Sequence, residues 1–400
     1  HGSIRRQRQM CIRDSFVFFE GPPSANGKPG IHHVMARALK DIFCRYKTLK
    51  GFKVERKAGW DTHGLPIELG VEKQLGISKE DIGTKISIED YNKSCKDAVM
   101  RYTNIWNDLT RKIGYWVDME NPYVTYKSKY IESVWWLLKE LHEKGLIYKG
   151  YSIQPYSPKA GTGLSSHELN QPGTYQDITD TTVTAQFKCI EKSLPEFLKK
   201  YGSVHILAWT TTPWTLPSNT ALTVGVNIDY VIIKTFNQYT EIAINVILAK
   251  NLIEKVFKDN YREVKQTNEL IFSKNNDIPF LIYEHFKGRD LINIKYEKLW
   301  TDSPLPTQNP ENAFRVISGD FVTTDDGTGI VHTAPTFGAD DMIAAQNAKP
   351  EVPPMLILNK DGDLSPLVDL QGKFIGGLGS ISGKYVKNQY YNEKDVPEKS

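Results

Sequence analysis

Residues 22–33, Pro-Pro-Ser-Ala-Asn-Gly-Lys-Pro-Gly-Ile-His-His, constrain this chain most, because a Pro/Gly turn and two imidazoles stand between an apolar run and an amphipathic segment. The upstream run Phe16-Val17-Phe18-Phe19 predicts a short buried strand. Downstream, Val34, Ala38, Leu39, Ile42, Phe43, Tyr46 and Leu49 recur at helical spacing, and Gly51 supplies a stop. A helix starting at such a turn leaves N–H groups unpaired and directs the positive end of its dipole there, so the turn suits an anion such as phosphate. Phe52-Lys53-Val54-Glu55-Arg56 alternates and predicts the next strand, giving a strand, helix, strand unit of a parallel sheet. Such sheets bind ligands at the carboxyl ends of their strands. The turn follows one strand and Gly59-Trp60-Asp61-Thr62-His63-Gly64 follows the next, so both are expected at one edge.

The 400 residues suit two or three domains of about 100 to 200 residues each. A formal charge of +3 neither identifies nor opposes a nucleic-acid partner. Cys11, Cys44, Cys95 and Cys189 are scattered, without the spacing of a disulfide framework or a zinc knuckle, which fits a reducing cytoplasm. No run of about 18 apolar residues and no apolar leader exists, so no membrane association is expected. Residues 1–14 begin without Met and lack an apolar period; they read as a non-native leader, with a basic RNA-touching arm as the alternative. Two further helices are expected, one carrying Val99, Tyr102, Trp106, Leu109 and Ile113, the other Tyr130, Val134, Leu137, Leu138 and Leu141 before Gly145, with their aromatics in the core.

Character changes near Thr179, where residues 181–187 open a region of short strands that includes 204–209, 230–233 and 330–332. The expected division is therefore residues 15–178 and a mainly β domain at 179–400. The closing stretch 390–398 has no apolar element and reads as truncated.

Turn 22–33 resembles the nucleotide-binding signature of class I aminoacyl-tRNA synthetases, His-x-Gly-His after Pro-x-x-x-Asn-Gly, although Gly30 replaces its first His and His32 its Gly. Only His33 matches directly. Residues 59–68, Gly-Trp-Asp-Thr-His-Gly-Leu-Pro-Ile-Glu, resemble the isoleucyl form of a second motif of that family. The resemblance implies an α/β fold: a Rossmann-like parallel nucleotide-binding half-domain followed by a mainly β editing domain. It implies that Asp61 binds the amino acid's ammonium group and that Gly21 and Pro22 wall the isoleucine side chain. Asn26, Gly27 and His33 would lie against ATP, taken with Mg2+, and His32 would supply the missing donor from a shifted position. A carboxylate in a partly dry pocket selects an ammonium because leaving it unpaired there is costly. The donors act by position and electrostatics, so no nucleophile is needed. Where relatives carry a zinc knuckle, this chain has Ser157 and Ala160 in place of Cys, so no zinc is expected while the backbone turn persists.

Residues 209–219, Trp-Thr-Thr-Thr-Pro-Trp-Thr-Leu-Pro-Ser-Asn, resemble the threonine-rich motif of the isoleucyl editing domain, and residues 327–335 with 337–341 resemble its second motif. Read locally, the threonines suit a strand and Gly327-Thr328-Gly329 a turn. The family implies that Asp341 captures the ammonium of a misacylated residue, while Thr210, Thr211, Thr212, Asn219 and His332 hold the terminal adenosine, the ester and a hydrolytic water. Two sites are needed because one missing methylene is worth only about 1 to 3 kcal/mol of discrimination, a general limit whose standing example is the isoleucyl enzyme itself. The implied partners are isoleucine, ATP and tRNA(Ile), with no membrane, and the complete enzyme is expected to be a cytoplasmic monomer. The second nucleotide-binding half lies outside these residues, so the chain alone is not expected to aminoacylate. A freestanding deacylase of mischarged tRNA and a non-catalytic tRNA-binding module are the competing readings.

Overall fold

The computed structural model describes residues 14–18, 20–273 and 277–391. Most of the expected leader, with Cys11, as well as Phe19 and the stretch 392–398 lie outside these residues. The chain forms two compact units, His1–Gly150 and Tyr151–Ser400. This division and the compositional change near Thr179 fall 28 residues apart, as 179 − 151 gives from the unit boundary.

In the first unit, α1 (Ile31–Leu49), β1 (Lys57–Trp60), α2 (Leu65–Leu75), α3 (Ile88–Val99), α4 (Thr103–Lys112), β2 (Asp118–Val124) and α5 (Ser128–Glu143) follow in order. Strands β1 and β2 pair in parallel, with Gly59 opposite Tyr123 and Trp60 opposite Val124. A parallel bridge from Ser15 to Lys53 is all that the strand expected at 16–19 forms among the described residues. Val17, at 67% exposed, has nothing to bury against. The strand expected at 52–56 instead lies at Lys57–Trp60, because burial begins only at Gly59 and Trp60. The single helix expected across 99–113 breaks, since the Tyr102 N–H turns to the Ala25 carbonyl (3.0 Å). Ala25, Trp60, Trp106 and Val124 form the core around that contact.

Helix α1 has the expected period but turns the other way. It buries Arg37 and Cys44, while Ile31, Met35, Leu39, Ile42, Phe43, Tyr46 and Leu49 are exposed. The cause is a set of partners distant in sequence: Arg37 lies over the rings of Trp106 (4.9 Å) and Tyr115 (5.5 Å) and donates to Thr110 Oγ1 (2.6 Å). Tyr130, Val134, Leu137, Leu138 and Leu141 of α5, expected to face the core, are also exposed, as are its Trp135 and Trp136.

The second unit opens with a hairpin, β3 (Tyr156–Ser157) against β4 (Thr162–Gly163). Its turn is closed by the Gly161 N–H on the Ser157 carbonyl (2.8 Å) and the Ala160 N–H on Ser157 Oγ (3.2 Å). Then come β5 (Val183–Lys188), β6 (Val204–Thr210), β7 (Ala221–Val224), β8 (Asp229–Phe236), β9 (Ala243–Ala249), β10 (Tyr261–Glu263), β11 (Ile278–Lys287), β12 (Arg315–Ser318) and β13 (Ile330–Thr333). They form one sheet in the order β10-β11-β8-β9-β6-β13-β7-β12, with β5 also on β6. Beyond β5, Cys189 bridges Tyr296, and Lys295 bridges Arg315 of β12. Strands β5, β6, β13, β7 and β12 therefore close into a ring through residues 295–296. Phe187, Ile206, Leu222, Tyr296, Val316 and Ile330 fill its core. Helix α6 (Ala339–Asn347) packs Ala344 and Ala345 on Ala221 and Ile317. Among the described residues no helix is long and apolar enough to cross a membrane.

Gly327 and Gly329 do more than turn the chain. A Cβ on Gly327 would meet the Trp209 ring at 2.9 Å, and one on Gly329 would meet Ala249 Cβ at 2.4 Å, both at positive φ. Gly329→Ala is expected to destabilise the second unit by about 3 kcal/mol, adding overpacking to backbone strain. Gly202→Ala, at φ +72° with open space around it, carries strain alone and is expected to cost about 1 kcal/mol. Urea midpoints of the two variants test the difference.

Candidate functional sites in the two units

The first site is built from the turn before α1 and the loop after β1. Gly30 caps α1, and its N–H donates to Nδ1 of His33 (2.9 Å), so the imidazole takes the place of the usual carboxylate in a capping box. Because Nδ1 accepts, His33 carries its proton on Nε2. Burial, then the neighbouring His32 and Arg37, push His33 below the usual histidine range. His33 meets the edge of Trp106 at 4.8 Å, and the Trp106 indole N–H donates to the Gly27 carbonyl (2.9 Å). Trp106 thus holds the Asn26-Gly27 turn and the catalytic-candidate imidazole in one frame. His32 is exposed with its ring 3.8 Å from that of His33. A side chain at position 30 would meet the His32 ring at 2.9 Å, so Gly30 leaves the room that His32 occupies.

The second loop is joined to the first by the Asp61 N–H, which donates to the Pro23 carbonyl (3.0 Å). Asp61 is exposed, and Thr62 behind it is buried with its hydroxyl 2.7 Å from Thr125 Oγ1. Pro22 lines an open cavity of about 490 Å3 with Phe18, Glu20, Tyr123 and Tyr130. Nothing stands within 4 Å of where a side chain on Gly21 would start. Gly59 is sterically required, since a Cβ there would fall 2.2 Å from the Tyr123 ring.

In the second unit the structure brings Thr210, Thr212, Asn219 and His332 into one hydrogen-bonded group. The Asn219 side-chain nitrogen lies 2.8 Å from the Ala221 carbonyl and 3.4 Å from that of Thr333. Carbonyls only accept, so this orientation of the amide is required. The same nitrogen donates to His332 Nδ1 (2.8 Å), leaving the His332 proton on Nε2, 2.9 Å from Thr215 Oγ1. The Thr215 hydroxyl donates to the Thr212 carbonyl (2.8 Å), and the Thr212 N–H donates to Thr210 Oγ1 (3.0 Å). Thr211 is exposed and enters none of these bonds.

Asp341 sits in the first turn of α6, where its Oδ2 accepts the Ala334 N–H (2.8 Å). A Cβ on Gly338 would fall 2.7 Å from the Asp341 carboxyl carbon, so the glycine lets the carboxylate fold back. Burial raises the Asp341 pKa and the charge of Asp340 adds to it, against the Ala334 hydrogen bond. Sequence reasoning missed Trp106 and Arg37 as supports of the first site and Thr215 and Tyr296 in the second. Thr215 lay inside the threonine-rich motif; Tyr296 had no local signal.

The fold is that of a Rossmann-like parallel half-domain followed in sequence by a mainly β domain. The chain belongs to the class I tRNA synthetases (I, L, M and V), whose family model matches residues 3–322. It is 60% identical over 401 residues to the isoleucine–tRNA ligase of Bacteroides fragilis (strain ATCC 25285), covering 96% of this chain and 34% of that protein. It is 55% identical over 395 residues to the isoleucine–tRNA ligase of Porphyromonas gingivalis, covering 94% of this chain and 34% of that one. The chain thus spans about a third of the length of these curated relatives. Among solved structures, the P. knowlesi cytosolic leucyl-tRNA synthetase editing domain matches 42% of this chain and 63% of its own, at 14% identity and a TM-score of 0.31, a likeness too distant to carry an argument.

Burial lowers His332 from 6.5 to about 4. The unfolded chain takes up this proton as pH falls through 6.5, whereas the folded chain does so only near 4. Stability is therefore lost across that window, by about 3 kcal/mol from this group. Titration of the His332 ring signals is expected to show no protonation at pH 5.5, and His332→Gln should lose less stability than the parent between pH 7 and pH 4.5.

Proposed function

We propose that this chain is the activation and editing part of an isoleucine–tRNA ligase, with residues 15–178 forming the first part of the catalytic domain and residues 179–400 the editing domain. The observation that carries the activation reading is the hydrogen bond from Asp61 to Pro23, which joins the carboxylate-bearing loop to the phosphate-suited turn. Asp61 pairs with the ammonium of isoleucine, and Gly21 and Pro22 border its side chain. ATP, taken as its Mg2+ complex, lies along Asn26, Gly27 and His33. The isoleucine carboxylate attacks the α-phosphorus, pyrophosphate leaves, and the Nε2–H of His33 stabilises charge gathering on phosphate oxygens. His32 is the second donor, and the room left by Gly30 supports that role. The activated residue then passes to tRNA(Ile) in the full-length protein, which we take to be a cytoplasmic monomer.

In the second unit, Asp341 pairs with the ammonium of a valyl ester while Thr210, Thr211, Thr212, Asn219 and His332 border the terminal adenosine and the ester. Water adds to the ester carbonyl and the tRNA hydroxyl leaves, giving free valine and uncharged tRNA. His332 has both ring nitrogens engaged, so its part is to hold the wall of the site and not to take the water's proton.

In the full-length protein, Asp61→Ala and His33→Ala are each expected to lower isoleucine-dependent pyrophosphate exchange about a hundredfold, and His32→Ala about tenfold. Unchanged exchange in His32→Ala removes that residue from the reaction. Asp341→Ala is expected to keep exchange and let Val-tRNA(Ile) persist; unchanged deacylation in this variant overturns the editing assignment. A chain that deacylates but never supports exchange, even at full length, is a freestanding deacylase.

A further inference from the structure

Tyr296 lies 1% exposed in the segment that closes the ring, with no ligand-facing position of its own. Its ring packs edge-on against Phe187 (5.2 Å) and Phe314 (6.2 Å), and its N–H donates to the Phe314 carbonyl (3.0 Å). Its hydroxyl is 2.7 Å from Asn219 Oδ1. That oxygen can only accept, so the phenol donates. Every later bond then has a required direction: Asn219 N–H to His332 Nδ1, His332 Nε2–H to Thr215 Oγ1, and Thr215 O–H to the Thr212 carbonyl.

From this we infer that Tyr296 is a positioning residue of the editing site, which acts through Asn219 and His332 to hold the Thr210–Thr212 turn. The inference rests on the editing reading above. The switch point is the His332 ring. With the proton on Nε2, the Thr215 hydroxyl is an acceptor toward the ring and is free to donate to Thr212. With the proton on Nδ1, two donors would face each other at Asn219, and Thr215 would donate back to the ring and release the Thr212 carbonyl. Among the described residues the Tyr296 hydroxyl is the partner of Asn219 Oδ1, and it adds to the Ala221 and Thr333 carbonyls in holding the amide against the second arrangement. Without it, a buried carbonyl oxygen is left unpaired and the amide is drawn off its alignment.

Tyr296→Phe in the full-length protein keeps the ring and removes only the hydroxyl. Deacylation of Val-tRNA(Ile) is expected to lose about tenfold in kcat with KM changed by less than about twofold, because the turn is misoriented while the substrate's main contacts remain. Isoleucine-dependent pyrophosphate exchange stays at the parent rate. In 15N spectra of the imidazole, the single Nε2–H form of the parent gives way to a mixture that includes the Nδ1–H form. Phe187→Leu loosens the same core but keeps the hydroxyl, so it lowers Tm and leaves both kcat and the tautomer unchanged. A Tyr296→Phe protein with parental kcat overturns the inference, as does one with lower kcat but an unchanged tautomer. Should that variant fold poorly, the parent alone decides, since an Nδ1–H signal from its His332 overturns the inference. Asp341→Ala assayed alongside separates the two claims. Unchanged deacylation there removes the editing reading itself, whereas its loss beside a silent Tyr296→Phe removes only the role of Tyr296.

Discussion

An amide buried at 4% exposure governs the second unit. Asn219 cannot be left unpaired in that interior without a cost of about 1 to 3 kcal/mol for each stranded group. It collects its partners from β7 through Ala221, from β13 through His332 and Thr333, and from the closing segment through Tyr296. A slip of one residue would carry His332 to the other face of β13 and strand the amide. The Leu222 to His332 register of β7 and β13 is thus held by chemistry as well as by packing. The Thr223 and Thr333 hydroxyls (2.6 Å) join the same two strands, and the Tyr230 hydroxyl of β8 donates to the Gly329 carbonyl (2.7 Å) just before β13.

The first unit relies on one indole in a comparable way. Trp106 fills the core beside Ala25, donates to Gly27, meets His33 and carries Arg37 on its face. Its burial therefore ties the phosphate-suited turn, the start of α1 and the rotation of α1 about its axis to a single side chain. That rotation sends a charged residue inward and leaves the apolar stripe of α1 facing out, contrary to what periodicity alone suggests.

Local patterns made much of this readable. Residues 204–209, 230–233 and 330–332 are short apolar or β-branched runs, and each falls within an observed strand. The two loops of the first unit and the threonine motif of the second were legible because their chemistry is contiguous in sequence. What was illegible depends on distant partners. The break between α3 and α4 comes from Ala25, some 77 residues before Tyr102 (102 − 25), and Tyr296 meets Asn219 across the same separation of 77. Gly327-Thr328-Gly329 read as an ordinary turn because Trp209 and Ala249, which forbid any side chain there, lie on other strands. Strand limits at 16–19 and 52–56 failed because alternation marks a possible strand and burial decides where it forms.

The half-buried carboxyl of Asp341 also sets the sign of a pH effect. Its surroundings hold it above the usual carboxylate range, so the folded chain takes up this proton at a higher pH than the unfolded chain does. Asp341 thus opposes folding while it is ionised and opposes it less as pH falls, the reverse of His332.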